Sequence, residues 1–104
     1  MIKTLILVPI QDNEGQPFSP KDWDELEQKL LSSFGGYTGG EMISGAWADS
    51  TGTVYRDTSR EWRVALNSWL QVPEWLALAN WTRTHFRQIA IYVEIAGIPE
   101  IIGE

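Results

Sequence analysis

Residues 42–57, MISGAWADSTGTVYRD, decide the fold. Two extended-type segments, Met42 to Ala48 and Thr53 to Asp57, flank the tetrapeptide Asp49-Ser50-Thr51-Gly52. Asp opens such a turn because its carboxylate accepts from the backbone N–H groups that follow, and Gly closes it. A connection this short joins adjacent strands antiparallel, because a parallel crossover needs a dozen or more residues. The hairpin therefore argues against an α/β fold with a parallel sheet.

Upstream lies the clearest helix start in the chain. Ser19 is a good N-cap, Pro20 occupies the first helical position, and Asp22 stands three residues beyond the cap. Asp22 reaches back as a short capping-box acid, and Phe18 with Trp23 forms a hydrophobic staple. Trp23, Leu26, Leu30, Leu31 and Phe34 then recur at helical spacing as one apolar stripe. Gly35-Gly36 ends the helix. The glycine-dense segment from Gly35 to Gly40, GGYTGG, reads as a flexible connection. Before the helix, Ile2 to Pro9 is a strand with two apolar faces, and Gln11 to Pro17 is a polar loop.

Downstream, Glu61 to Asn67 alternates, with Trp62, Val64 and Leu66 on one face. A second helix lies between Ser68 and Phe86. Starting it at Ser68 would bury Pro73 inside the helix at a cost of about 3 kcal/mol. A short turn at Ser68 to Val72 and a main helix from Pro73 fit better. Trp75, Leu78, Ala79, Thr82 and Phe86 would face inward. Gln88 to Ile95 is a strand, with Ile89, Ile91, Val93 and Ile95 on one face and Ala90, Tyr92 and Glu94 on the other. Gly97 turns the chain, and Ile98 to Ile102 adds a short edge strand. The order is β-α-β-β-α-β, the ferredoxin-like split βαβ pattern of the α+β class. Right-handed crossovers place both helices on one side of an antiparallel sheet and leave the other side bare.

The chain has 104 residues, 43% hydrophobic and 21% charged, which fits a single α+β domain over residues 1–104. The formal charge of -6 argues against sequence-independent nucleic-acid binding, which depends on phosphate neutralisation. With no cysteine, disulfides, thiolate metal sites and cysteine nucleophiles are excluded, and the lone His85 removes most metal sites and triads. No apolar run approaches the ~20 residues of a membrane span, and MIKTLILVPIQDNE reads as a strand and not a signal peptide. A cytoplasmic protein without membrane or nucleic-acid partners is expected.

The stretches FSPKDWDELEQKLLSSFGGYT, GAWADSTGTVYRDTSREWRVAL and FRQIAIYVEIAG resemble a family of small uncharacterised bacterial proteins. That family shares a tryptophan-bearing capped helix before Phe-Gly-Gly, then Gly-x-Trp, Val-Tyr-x-Asp and Phe-x-Gln-x-Ala-Ile-Tyr elements in this order. The resemblance spans most of Phe18 to Gly97. It implies the same ferredoxin-like fold and transfers no activity and no catalytic residue.

Tyr55, Arg56, Asp57, Ser59 and Arg60 form the densest polar cluster, with two of the five arginines of an acidic chain. The planar guanidinium matches phosphate or carboxylate. Tyr55 with Trp47 or Trp62 would offer a stacking surface, and GGYTGG would let backbone N–H groups approach an anion. GGYTGG lacks the lysine and spacing of a P-loop, however. The competing reading is a turn whose arginines pair with local carboxylates. Gln88, Tyr92 and Glu94 alternate along the Gln88 to Ile95 strand, and the pair Tyr92 and Glu94 on the bare face would either line a groove or be buried under a second subunit. The candidate ligand residues are thus Tyr55, Arg56, Asp57, Arg60, Trp47, Gln88 and Tyr92. Six tryptophans exceed what one core stripe accommodates, and tryptophan anchors interfaces, so a homodimer is expected. Asp22, Asp24, Glu25 and Glu27 read as a solvated helix face, since their spacing specifies no metal site.

The function expected from sequence is a non-catalytic, oligomeric binding domain for an anionic or nucleotide-like small molecule, using no cofactor and no metal. Small proteins with which phages remove host nucleotide signals need no more than this. One alternative is a structural domain that self-associates through the open sheet face. Another is a small ferredoxin-like enzyme drawing its acid or base from His85, Glu94 or Asp57, although no nucleophile, metal set or matched carboxylate pair accompanies them.

Overall fold

In the computed structural model, which describes residues 1–103, five strands form one sheet and two helices cover one side of it. The elements are β1 (Ile2–Pro9), α1 (Pro20–Phe34), β2 (Thr38–Ala48), β3 (Val54–Leu66), α2 (Val72–His85), β4 (Ala90–Ile95) and β5 (Ile98–Gly103). Strand order is β2-β3-β1-β4-β5, with every neighbouring pair antiparallel. This is the ferredoxin-like arrangement with an added C-terminal strand.

The period of two along each strand decides which face is covered. Ile2, Ile6 and Val8 of β1, Trp62, Val64 and Leu66 of β3, and Ile91 and Val93 of β4 are buried. They meet Leu26 and Leu30 of α1 and Trp75, Leu78 and Ala79 of α2 in one core. Trp62 and Trp75 are fully buried, and each contributes on the order of 4–6 kcal/mol at ~25 cal/mol per Å². Thr4, the polar exception in β1, donates its hydroxyl to the Val64 carbonyl at 2.6 Å. The alternate residues, Leu5, Leu7, Glu61, Arg63, Tyr92 and Glu94, lie on the bare face.

Helix α1 starts as its sequence dictates. The Asp22 N–H donates to the Ser19 hydroxyl, and the Asp22 carboxylate accepts from the Ser19 N–H, closing the capping box. Phe18 meets Trp23 edge-to-face at 5.7 Å. The helix stops at Gly35, which takes φ +80 and donates to Leu31. Leu31 itself is 43% exposed, so the inward stripe is narrower than the spacing implied.

Three segment boundaries differ from the sequence reading. Strand β2 begins at Thr38, so half of the GGYTGG segment belongs to the sheet. There Gly39 sits at a register shift, with φ +120, where an added Cβ would come within 2.4 Å of the Glu61 carbonyl oxygen. Thr53 to Asp57 and Glu61 to Asn67 are parts of one strand, β3, because β2 and β1 pair with it on opposite sides and carry it through Thr58 to Arg60. Ile89 precedes β4 and is 65% exposed, since the chain turns at Arg87, whose φ is 52. Ser68 caps a single 3-10 turn, Trp69–Gln71, and α2 follows from Val72 with Pro73 in its first turn. Trp69 is 63% exposed, the tryptophan that the helix stripe could not absorb.

Candidate small-molecule site

Where β1 ends, the loop after it, the middle of β3 and the approach to β4 converge on a cavity of about 410 Å³. Its walls include Gln11, Asp12, Asn13, Arg56, Asp57 and Gln88. The loop is built around Asp12, whose Oδ1 accepts from the N–H groups of Glu14 and Gln16 at 2.9 Å each. A Gln11–Pro17 bridge closes it onto itself. Those loop N–H groups, led by that of Gln16, outweigh burial and hold the Asp12 carboxyl below its ordinary range, with Arg87 adding a weaker attraction. Arg87 Nη2 stands 3.6 Å from Asp12 Oδ2 and ties the loop to the segment between α2 and β4. Gln88 is fixed by its side-chain N–H donating to the Phe86 carbonyl at 2.9 Å.

The cavity is thus a polar bowl. Arg56 supplies a cation without an ion pair among the described residues, and Asp57 supplies an exposed carboxylate. Gln11, Asn13 and Gln88 supply amides that donate and accept. Such a set can hydrogen-bond and ion-pair with a polar ligand.

Beyond the cavity, β2 and β3 continue as an exposed hairpin. Trp47 and Tyr55, directly paired across it, stack at 4.6 Å with rings 20° apart. Asp49 shapes the turn at its tip. It accepts from the Thr51 hydroxyl at 2.6 Å, from the N–H groups of Thr51 and Thr53, and from the Tyr55 hydroxyl at 3.3 Å. Those bonds, the Thr51 hydroxyl first, hold the Asp49 carboxyl below its ordinary range. Tyr55 lies on the same face of β3 as Asp57, about 7 Å away along the strand.

Of the residues singled out from sequence, Arg56, Asp57 and Gln88 meet in the cavity, while Trp47 and Tyr55 pair farther out on the hairpin and do not line it. Arg60 does not join them. Its guanidinium lies over the rings of Trp23 at 4.9 Å and Trp62 at 5.9 Å on the helix side of the sheet. Residues 56, 58, 60 and 62 share that face, so Arg60 falls against the aromatic edge of the core. Trp62 is buried there, its indole N–H donating to Glu27 at 3.0 Å, and offers no stacking surface. The GGYTGG backbone is no anion cradle either, because Gly39 packs against Glu61 and Gly40 against Glu27 and Trp62. Tyr92 stands on the bare face outside the cavity and donates its hydroxyl to Glu94 at 2.7 Å. That bond, aided by burial, pushes the phenol above its ordinary range.

The three acid–base candidates are dispersed. Asp57 is in the cavity and Glu94 on the bare face. His85 lies between the helices, stacked on Trp81, with Nε2 3.2 Å from Asp22 and 3.4 Å from Glu25 but no aligned hydrogen bond. Among the described residues no group of three His, Asp or Glu side chains is arranged to hold a metal ion. No helix among them is long and apolar enough to cross a membrane. The cavity residues that sequence reasoning missed are Gln11, Asp12 and Asn13. Their signal was a polar loop directly after the first strand, a composition that marks a loop without saying what it faces.

No protein-family model matches the chain, and no curated protein sequence does either. Solved structures do. A phage SAM lyase in complex with S-methyl-5′-thioadenosine superposes with a TM-score of 0.73 at 17% identity, covering 99% of this chain and 89% of that one. A phage SAM lyase in the apo state superposes with a TM-score of 0.67 at 15% identity over the same shares of the two chains. The likeness is one of fold over the whole chain.

Proposed function

We propose that this protein binds an adenosine-bearing small molecule of the S-adenosylmethionine class and cleaves S-adenosylmethionine as a lyase. The observation that carries the reading is the whole-length likeness of fold to a SAM lyase holding S-methyl-5′-thioadenosine. The cavity supports it. Its 410 Å³ falls within the ~300–1,000 Å³ usual for small-molecule sites. Its amides and Asp57 suit the base edge and ribose diol, and the Trp47–Tyr55 pair offers a ring surface farther out on the hairpin.

The dispersal of His85, Glu94 and Asp57 is compatible with this chemistry. The sulfur of S-adenosylmethionine carries a positive charge and departs as a neutral thioether. When the substrate's own carboxylate attacks the γ-carbon, a carbon–oxygen bond forms as the carbon–sulfur bond breaks, and the electron pair goes to sulfur. The products are S-methyl-5′-thioadenosine and a cyclic ester that keeps the ammonium group. No proton moves, so no protein acid, base or nucleophile is needed. Opposite charges are consumed, and a site drier than bulk water favours that. The protein's part is to hold the substrate folded on itself.

Incubating the protein with S-adenosylmethionine and measuring S-methyl-5′-thioadenosine by mass spectrometry tests the reaction, with calorimetry against both compounds. Product formed by the wild type and lost in Arg56→Ala and Asp57→Asn supports the lyase. Tight binding without product leaves a sequestering protein, the non-catalytic role. Neither binding nor product removes both.

Self-association is a second part of this reading. Met42 is 68% exposed, Trp47 56% and Val54 54%, on both faces of the projecting hairpin. We propose that these side chains meet another copy, and light scattering at micromolar concentration measures the mass that decides it. The bacterial proteins that share the Phe-Gly-Gly and Val-Tyr-x-Asp order are, on this proposal, relatives of the same fold.

A further inference from the structure

The bare sheet face carries a second groove, mostly apolar with charged groups at its margins, about 13 Å along β3 from the cavity. Two adjoining hollows of about 440 and 180 Å³ share Lys3 and Arg63 on their walls. Ala65 and Thr38 border the first, and Leu5 and Glu94 border the second. The register explains the grouping. Arg63 and Glu94 both stand opposite Leu5, one on each side of β1, so their Cα atoms are about 10 Å apart. Lys3 lies two residues from Leu5 on the same face.

Each charged group keeps unused capacity. Lys3 makes no ion pair among the described residues. Arg63 directs Nε and Nη2 to Glu61 Oε1, both at 2.6 Å, which leaves Nη1. Glu94 accepts the Tyr92 hydroxyl through Oε2, which leaves Oε1. Arg63 is offset by Glu61, with Glu41 beside that pair on the side away from β1, so among the described residues Lys3 is the unpaired cation next to Leu5 and Glu94 the carboxylate across from it. A phosphate dianion would meet too little positive charge, with a carboxylate beside it. A simple amine would meet Lys3. A carboxylate and an ammonium on one carbon satisfy both sides at once, over an apolar floor of Leu5 and Ala65.

We propose that this groove binds an α-amino acid head group, its carboxylate at Lys3 and Arg63 and its ammonium at Glu94. The head group belongs to a free amino acid or to the methionyl end of an adenosyl ligand, and the assignment stands independently of the cavity. The test is a titration of the full chain with L-methionine, S-adenosylmethionine and S-methyl-5′-thioadenosine, which lacks the head group. It is read by backbone amide NMR and calorimetry. The expected result is movement of the Lys3, Arg63 and Glu94 amides with the first two compounds and none with the third. Affinity for L-methionine should fall at least tenfold in Lys3→Met with Arg63→Ala, and likewise in Glu94→Gln. All three side chains lie on the bare face, and the amide spectra verify that each variant is folded. Movement with S-adenosylmethionine alone supports the groove and assigns it to the methionyl end. Movement with neither amino-acid compound, or L-methionine affinity unchanged in the variants, overturns the proposal. If S-methyl-5′-thioadenosine binds nowhere, the cavity reading fails, and the L-methionine arm still decides this one.

Discussion

Replacing Arg60 by alanine separates a structural arginine from a ligand-binding one. The guanidinium of Arg60 covers Trp23 at 4.9 Å and reaches Trp62 at 5.9 Å. A cation over an indole contributes about 0.5–1 kcal/mol when exposed and ~2 kcal/mol when desolvated, and for the half-buried Arg60 about 1 kcal/mol is expected. Its methylene stem shields further apolar area; roughly 30 Å² at ~25 cal/mol per Å² adds about 0.75 kcal/mol. Arg60→Ala should therefore destabilise the protein by about 1.5–2 kcal/mol. With a urea slope of roughly 1.5 kcal/mol per M, the unfolding midpoint falls by about 1 M. Arg60→Met, which keeps the stem, should lose about half as much. Affinity for S-methyl-5′-thioadenosine should stay within about twofold of wild type, since Arg60 does not line the cavity. Arg56→Ala should do the reverse, weakening the ligand at least tenfold (about 1.4 kcal/mol) while moving the midpoint little. An Arg60→Ala protein with an unmoved midpoint, or with a larger ligand defect than Arg56→Ala, would refute the reasoning.

Gly39→Ala should cost at least ~2 kcal/mol, because the added carbon meets the Glu61 backbone at 2.4 Å in a conformation that strains any L side chain. A melting temperature lowered by roughly 10 °C is expected, against little change for Gly45→Ala, which meets nothing within 4 Å. The Asp49 carboxyl is depressed in the folded protein, so its contribution is present above the unfolded carboxylate range near ~4 and disappears as pH falls through the depressed value. The hairpin tip should hold above about pH 4 and loosen only in stronger acid, seen as faster amide exchange at Thr51 and Thr53; loosening at neutral pH would contradict it. Tyr92 should ionise above the ordinary phenol range, and Glu94→Gln should bring it back, as followed by near-ultraviolet absorbance during alkaline titration.

Much of this architecture was legible locally. The Ser19–Asp22 capping box, the Phe18–Trp23 staple and the Asp49–Gly52 turn are made by residues a few positions apart, and the structure forms each of them. The alternation of Trp62, Val64 and Leu66 foretold the covered face. What escaped depends on distant partners. Gly39 reads as flexible until Glu61 packs against it, and Arg60 reads as a ligand group until parity along β3 sets it over Trp23. The cavity draws on three separated segments, and only its Arg56, Asp57 and Gln88 carried a chemical signal of their own.

The two rims of the sheet have a bearing on how copies of this protein can meet. One outer strand, β2, is bent by a register shift beside Gly39, and the other, β5, contains Pro99, which has no N–H to offer. Both features work against side-by-side extension of the sheet. On the proposal that copies meet through the apolar hairpin, side chains and not an extended sheet would make the joint.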